Sequence, residues 1–360
     1  MARRRVLVAG ATGLVGKAVA EHLLDTGEAD VVAVSRRDAN LPGALHISVD
    51  LTDPAACAEK LSGLDGITQI VFAALYEKPD LIAGWRDPEQ METNRAMLQN
   101  LLDALEPTSP DLEHVSLLQG TKAYGVHVEP IRVPAKEHWP RHNHENFYWL
   151  QEDLLRERQP LGRGWTFSIW RPQALFGNAF GSPMNILGAL GVYAVLRRER
   201  GLPLTFPGGG ELVTAATDTR LLAEAICWGG TAEAAGNETF NIINGDVLVW
   251  PHIFRCIADV FAMPMGEPEP QRLEETMPGQ EKAWAAVVEK YDLRRHRLSE
   301  WIGSSWQFTD RSLATGIEHP PPSVLSPVKL NRAGFTKMID TEESIVWWLE
   351  RLQRERWLPA

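Results

Sequence analysis

The apolar run Val6-Leu7-Val8-Ala9 passes straight into Gly10-Ala11-Thr12-Gly13-Leu14-Val15-Gly16, and a helical pattern follows through Leu24. Few folds accommodate that order of strand, glycine turn and helix. Glycine permits a sharp bend and lets backbone approach a pyrophosphate closely, while the helix N-terminus offers unpaired N–H donors and the positive end of its dipole. A tight turn needs glycine in any case, but the full context predicts a phosphate cradle. Its candidate contacts are Gly10, Thr12, Gly13, Leu14, Val15 and Gly16.

The spacing is G-x-x-G-x-x-G, which departs from the G-x-G-x-x-G of two-domain dehydrogenases and resembles the short-chain dehydrogenase/reductase superfamily. The second strand, Asp30 to Val34, ends in Ser35-Arg36-Arg37, where an NAD site more often shows an acidic residue. A guanidinium suits a 2′-phosphate through forked, charge-assisted hydrogen bonds, so the expected cofactor is NADP(H). The plainer alternative is a solvated arginine loop.

Strands and helices alternate from there as a doubly wound parallel sheet requires. A third strand ends at Asp50-Leu51, Gln69 to Ala74 reads as a fourth, and Asn94 to Leu102 as a helix. Val115 to Leu118 makes a fifth strand and Phe167 to Trp170 a sixth, with Phe240 to Ile243 returning to the sheet. Ligands of open α/β sheets bind outside the carboxyl ends of the strands. Asp50, Leu51, Ala73, Ala74, Gln119, Gly120, Pro172, Ala174 and Leu175 complete the candidate cofactor set. The expected class is α/β of Rossmann, short-chain dehydrogenase type, with residues 1–177 as the dinucleotide domain and a returning segment near 210–244. Residues 178–209 and 245–360 are expected to form a smaller substrate lobe. The proline- and acid-rich stretch from Glu267 to Glu281 and Pro320-Pro321-Pro322 read as loops.

At 360 residues the chain suits one such sheet with a smaller lobe. A net charge of −11 disfavours nucleic acid and anionic membrane surfaces as partners. Cys57, Cys227 and Cys256 show neither pairing nor metal spacing, which suits a reducing cytoplasm. The basic start Arg3-Arg4-Arg5 reads as a solvated strand entry, and the first apolar run as a strand and no signal peptide. Ile186 to Leu196 is shorter than the roughly 20 residues a bilayer span needs, and reads as a buried helix.

Tyr148 opens the helical stretch Asn146-Phe147-Tyr148-Trp149-Leu150-Gln151-Glu152, with Asn143 and Asn146 as candidate caps. In a Tyr-x-x-x-Lys pair, residues i and i+4 share a helix face, and the ammonium favours the ionised phenol. Glu152 occupies the lysine's place. Either this is not a Tyr/Lys enzyme or the lysine comes from another element, and Lys122 at a strand end is the obvious donor. Taken singly, Tyr148 could be a buried aromatic and Lys122 a surface charge; together at a strand end they read as a catalytic pair.

Further motifs run in order along nearly the whole chain: Leu118-Gln119-Gly120-x-Lys122-x-Tyr124, Asn146-Phe147-Tyr148-x-x-x-Glu152-Asp153, Arg171-Pro172-x-x-x-Phe176-Gly177, Met184-Asn185, Asn241-x-x-Asn244-Gly245-Asp246-Val247-x-x-Trp250 and Asp340-Thr341-x-x-Ser344. With the displaced lysine, this set resembles the progesterone 5β-reductase and iridoid synthase-like family of atypical short-chain dehydrogenases. The resemblance implies NADPH-dependent reduction of the C=C bond of an enone or enal, with Lys122 and Tyr148 matching the family's catalytic pair. Tyr124, Phe176, Met184, Asn185 and Ile345 are the substrate-pocket candidates, Tyr124 being equally readable as packing. The chain departs from the plant members at Trp149, where they carry a second tyrosine, and at Ile345, where they carry phenylalanine, so substrate preference does not carry over.

The expected partner is a small apolar enone, with a homodimer left open. His138, His142 and His144, near Glu137 and Glu145, match no closed zinc set and read as a polar loop, so no metal is expected. Trp250, Trp347 and Trp348 read as core, with some free to wall an apolar pocket. Two other classes stay open: a carbonyl reductase or nucleotide-sugar epimerase or dehydratase, which would want lysine at position 152, and a silent NADP-binding regulator, which needs neither Lys122 nor Tyr148.

Overall fold

A computed structural model describes residues 4–160 and 164–360; Arg3 of the basic start lies outside the described residues. Seven strands form one sheet in the order β3-β2-β1-β4-β5-β6-β9. They are β1 (Arg4–Ala9), β2 (Ala29–Ser35), β3 (Leu45–Ser48), β4 (Gln69–Phe72), β5 (His114–Leu118), β6 (Thr166–Pro172) and β9 (Glu238–Ile242). Every neighbouring pair is parallel. All the carboxyl ends therefore open on one edge, and the order reverses beside β1. That is where a doubly wound sheet leaves its ligand crevice.

Both faces of the sheet are covered, so its strands are apolar on both sides. Leu7 and Ala9 pack with Met97, Leu101 and Leu155 on one face. Val6 and Val8 pack with Val19, Leu222 and Ile226 on the other. A separate core gathers Leu187, Leu190, Trp250, Phe254, Trp284, Trp301, Trp348 and Leu349. At its centre lies the helix Ile186–Glu199, buried along its whole run from Ile186 to Leu196. No helix among the described residues is long and apolar enough to cross a membrane. A second, two-stranded parallel sheet joins β7 (Ala174–Phe176) to β8 (Ala216–Asp218), a feature the alternating pattern does not announce.

Two expectations need correction. The third strand stops at Ser48, and Asp50-Leu51 form the turn after it, because the Asp50 carboxylate accepts from the Thr52 N–H and hydroxyl at 3.0 and 2.8 Å. The stretch from Glu267 to Glu281 is not all loop: it contains the short helix Leu273–Thr276. Its first N–H groups are capped from a distance by the Asp310 carboxylate, at 2.9 Å to Leu273 and 3.0 Å to Glu274. Long-range capping leaves no local trace.

Candidate active site

The turn after β1 is built for close approach. Gly10 has φ +83°, and a Cβ there would lie 2.7 Å from the backbone of Ala73 and Ala74, just beyond β4. A Cβ on Gly16 would fall 2.3 Å from the Gly10 carbonyl oxygen. The helix Leu14–Thr26 starts at Gly13 with no side-chain cap and no acidic residue in its first turn, so its N-terminal donors face the strand ends. Arg36 is exposed, and among the described residues its guanidinium makes no hydrogen bond or ion pair, although its charge helps hold the Asp50 carboxyl down. Arg37 is engaged: it donates to the Phe180 carbonyl at 3.0 Å and lies over that ring. Ser35 spends its hydroxyl on the Arg37 carbonyl at 2.6 Å. These residues fit the phosphates of a dinucleotide, and Arg36 is an exposed cation just after the end of β2.

Lys122 sits on a 3-10 turn, Thr121–Tyr124, that leaves the end of β5. Tyr148 is the second residue of the helix Phe147–Arg158, whose N-cap is Asn146. Asn146 ties the two together. Its Oδ1 accepts from the Tyr148 N–H at 3.0 Å while its Nδ2 donates to the Lys122 carbonyl at 3.1 Å. The phenol then reaches over Gly120: its oxygen is 3.2 Å from where a Gly120 Cβ would stand, and the Pro172 carbonyl at the end of β6 is 3.5 Å from the same point. A side chain at position 120 would displace it.

The Lys122 ammonium lies 4.4 Å from the centroid of Trp85, 5.4 Å from Phe147 and 5.6 Å from Tyr148. Its ion-pair partner is Glu77, at 3.7 Å, too long for a hydrogen bond. Among the described residues neither the ammonium nor the Tyr148 hydroxyl hydrogen-bonds to protein. Burial brings Lys122 down to about 8, opposed by Glu77 and aided by Arg311. Burial drives Tyr148 up, reinforced by the Glu77 charge and opposed by Arg171, so the phenol stays protonated and can donate.

Glu152 does not face the phenol's reactive end. Its buried carboxylate meets Arg141 at 3.1 Å, Arg156 at 3.0 Å and Arg171 at 3.5 Å. Burial alone would raise it, but the three guanidinium groups hold it below the usual glutamate range. The Gln119 side chain belongs to the same knot. It donates to the Tyr148 carbonyl at 3.2 Å and to Glu152 at 3.3 Å and accepts from Arg171 at 2.9 Å, leaving only its backbone to meet a cofactor. Leu51 likewise sends its side chain into the core beneath the sheet.

Several of the pocket candidates have partners within the protein. The Tyr124 hydroxyl donates to Asn241 at 2.6 Å and accepts from Arg171 at 3.3 Å, so Tyr124 braces β6 and β9. Phe176 packs on Trp250, and Ile345 is enclosed by the second core; both are fully buried with no surface for a ligand. Asn185 caps the buried helix, accepting from the Gly188 N–H at 3.2 Å. Met184, just before it, keeps a half-exposed side chain. Trp250 and Trp348 are core, while Trp347 carries the Arg220 guanidinium 3.6 Å above its ring. The signature residues Asn244, Asp246, Thr341 and Ser344 form a clasp: Asn244 donates to Thr341 at 3.1 Å, Thr341 bonds Asp246, and Ser344 donates to the buried Asp218 at 2.6 Å.

In the loop before the Tyr148 helix, His142 and His144 bond each other through Nδ1 at 2.8 Å and His142 meets Glu129 at 2.9 Å, with His138 exposed. No group of three His, Cys, Asp or Glu side chains among the described residues is arranged to hold a metal ion. Sequence reasoning missed Glu77 and Trp85. Their one available signal was position, since both follow the carboxyl end of β4 in a segment that crosses the crevice.

Residues 6–242 match the NAD dependent epimerase/dehydratase family. The chain belongs to that family. It is 33% identical to a 3-oxo-Delta(4,5)-steroid 5-beta-reductase of Arabidopsis thaliana over 98% of this chain and 92% of that protein. It is 31% identical to an (S)-8-oxocitronellyl enol synthase of Nepeta cataria, over 98% and 91%. Within the larger family it is therefore a member of the steroid 5β-reductase and iridoid synthase-like group. Among solved structures, the UDP-glucose 4-epimerase of Thermus thermophilus, in complex with NAD, aligns with a TM-score of 0.66 at 18% identity, covering 97% of this chain and 99% of that one. The enzyme WbmH of Bordetella bronchiseptica, in complex with NAD+, aligns at 0.67 and 18%, over 98% and 99%. These likenesses establish the fold.

Proposed function

We propose that this protein is an NADPH-dependent reductase of the activated C=C bond of small apolar enones or enals. One observation carries the reading: an ammonium and a protonated phenol stand side by side at the ends of β5 and β6, and neither head group is spent on a hydrogen bond among the described residues. The exposed, unpaired Arg36 supports the 2′-phosphate form of the cofactor, and the names of the relatives support the reaction class.

When bound, the dinucleotide supplies the hydride and leaves oxidised. Delivery to the β-carbon of an enone breaks the C=C π bond and moves the electron pair to the carbonyl oxygen as an enolate; water then protonates the α-carbon. Tyr148 donates its hydroxyl hydrogen bond to that oxygen as charge develops, and Lys122 strengthens the donor through its positive charge. One such donor accounts for roughly 10²–10³ in rate, about 2.7–4 kcal/mol. Because the enolate needs stabilisation more than rapid protonation, no lysine is required at position 152, and Glu152 serves the helix instead.

The test is isotopic. With NADPH deuterated at the transferable C4 position and cyclohexenone as substrate, deuterium should appear at the β-carbon of a saturated ketone. Deuterium on a carbinol carbon makes the protein a carbonyl reductase and overturns the reading, as does an absence of turnover across a panel of enones and enals.

A further inference from the structure

We propose that Glu77 is a positioning residue, the fixed counter-charge that holds the Lys122 ammonium charged and aimed beside Tyr148. This rests on the catalytic reading of Lys122. The ammonium is enclosed by the rings of Trp85, Phe147 and Tyr148 and has no hydrogen-bond partner among the described residues. Aromatic faces favour a cation but do not replace its lost water. The other charges that bear on it are cationic: Arg311 of the helix Ser305–Ser312 lies over Trp85, and Arg86 adds to the repulsion felt by Arg311. His127, from the loop after the Lys122 turn, is brought down to about 3 by burial, with His144 and then the charges of Lys122, Arg311 and Arg86 contributing. Arg171 faces Tyr148 from β6. Among the described residues Glu77 is the one carboxylate within ion-pair distance of Lys122.

Glu77 is itself held at both oxygens. Oε2 accepts from Gln90 Nε2 at 2.6 Å and Oε1 from the Trp85 indole N–H at 3.3 Å. Burial raises its carboxyl, while both of these donors and Lys122 favour the charged form. Gln90 has no freedom to turn away: it is fully buried and accepts from the Lys78 N–H at 2.8 Å. A Cβ on Gly84 would sit 2.4 Å from its Oε1, so glycine at 84 makes room for this arrangement. A glutamine, a tryptophan and a glycine thus serve to aim one carboxylate at one ammonium.

The experiment is the pH profile of kcat/KM for cyclohexenone. In the wild type the rate should fall as Lys122 deprotonates near pH 8. Glu77→Gln should move that fall at least about one pH unit toward acid, costing about fivefold or more at pH 8 while the rate near pH 6 stays within about threefold of wild type. Glu77→Asp, which keeps the charge, should return the fall to its original pH. A purely structural role would lower the rate by one factor at every pH, and that result overturns the proposal. Should Glu77→Gln not fold, Gln90→Met, which removes one donor to the carboxylate, should shift the fall in the same direction, and an unmoved profile there also overturns it. A wild type that reduces no enone, or an active Lys122→Met enzyme, removes the catalytic reading itself and Glu77's role with it. An active wild type, an inactive Lys122→Met and an unshifted Glu77→Gln profile remove Glu77's role alone.

Discussion

The carboxylate of Glu152 lies 3.5 Å from the guanidinium of Arg171, so the position that would carry a helix lysine instead fastens the Tyr148 helix to β6. Arg141 and Arg156 close on the same carboxylate, and Gln119 bridges it to the Tyr148 carbonyl. The phenol's placement over Gly120 depends on that fastening. Glu152→Lys should therefore fail to improve catalysis and should destabilise the fold. Leaving the buried Arg171 guanidinium without its carboxylate costs about 3–5 kcal/mol, and an ammonium placed near Arg171 and the partly exposed Arg141 and Arg156 adds repulsion. Urea unfolding would register it as a lower midpoint, and an unchanged midpoint would mean the cluster bears no strain of that size.

Tyr148→Phe keeps the ring and its packing against Phe147, whose centroid is 4.5 Å away, and removes only the hydroxyl. Turnover of an enone should fall by roughly 10² or more if the phenol is the main donor to the enolate oxygen. The melting temperature should hardly move, since the hydroxyl has no hydrogen bond among the described residues to lose. A variant that retains full turnover would transfer the donor role to Lys122.

Lys122→Met should abolish most turnover with the fold intact. The side chain is buried against Trp85 and Phe147, and methionine replaces its stem with apolar volume while leaving Glu77 without its cation. Steady-state rates with circular dichroism in parallel would check it; normal turnover refutes the assignment.

Cofactor choice should turn on Arg36 more than on Arg37, because Arg37 is already engaged with the Phe180 carbonyl and ring. A charged hydrogen bond is worth about 1.5–3 kcal/mol, so Arg36→Ala should raise the KM for NADPH about tenfold or more. The KM for NADH should stay near its starting value. Equal loss with both cofactors would place Arg36 outside the phosphate site.

His114 supplies a pH test away from the active site. It begins β5 at the edge of the sheet opposite the crevice, lines a cavity of about 310 Å³ with Glu113 and Thr166, and bonds Thr166 at 2.9 Å. Burial brings it down to about 4, against an ordinary histidine value of 6.5. Above pH 6.5 both folded and unfolded states are neutral there, and the group adds no pH dependence. As the pH falls below 6.5 the unfolded chain takes up the proton first, so stability is lost progressively until about pH 4. At pH 5 the loss amounts to about 2 kcal/mol, from 1.36 kcal/mol per pH unit. His114→Gln should flatten the change in urea midpoint between pH 7 and pH 5; an equally steep change would assign the acid sensitivity to other groups.

Local chemistry made the frame legible. A strand, three glycines and a helix start allow few arrangements, because φ +83° at Gly10 and the contact of Gly16 with the Gly10 carbonyl exclude side chains at both positions. The capping residue Asn146, the strand ends that carry Lys122 and Pro172, and the uniformly apolar helix from Ile186 followed from the same short-range rules. What a polar side chain at a strand end faces is a different matter. Gln119 and Tyr124 stand among positions expected from the sequence to face a ligand yet turn to Glu152, Arg171 and Asn241, and Ile345 is closed into the second core. Glu77 and Trp85 reach Lys122 from 45 and 37 residues away along the chain. Whether a charge is catalytic, structural or a counter-charge depends on its burial and on the sign of its neighbours within a few ångströms. Residues distant in sequence supply those neighbours, so only the tertiary structure decides it.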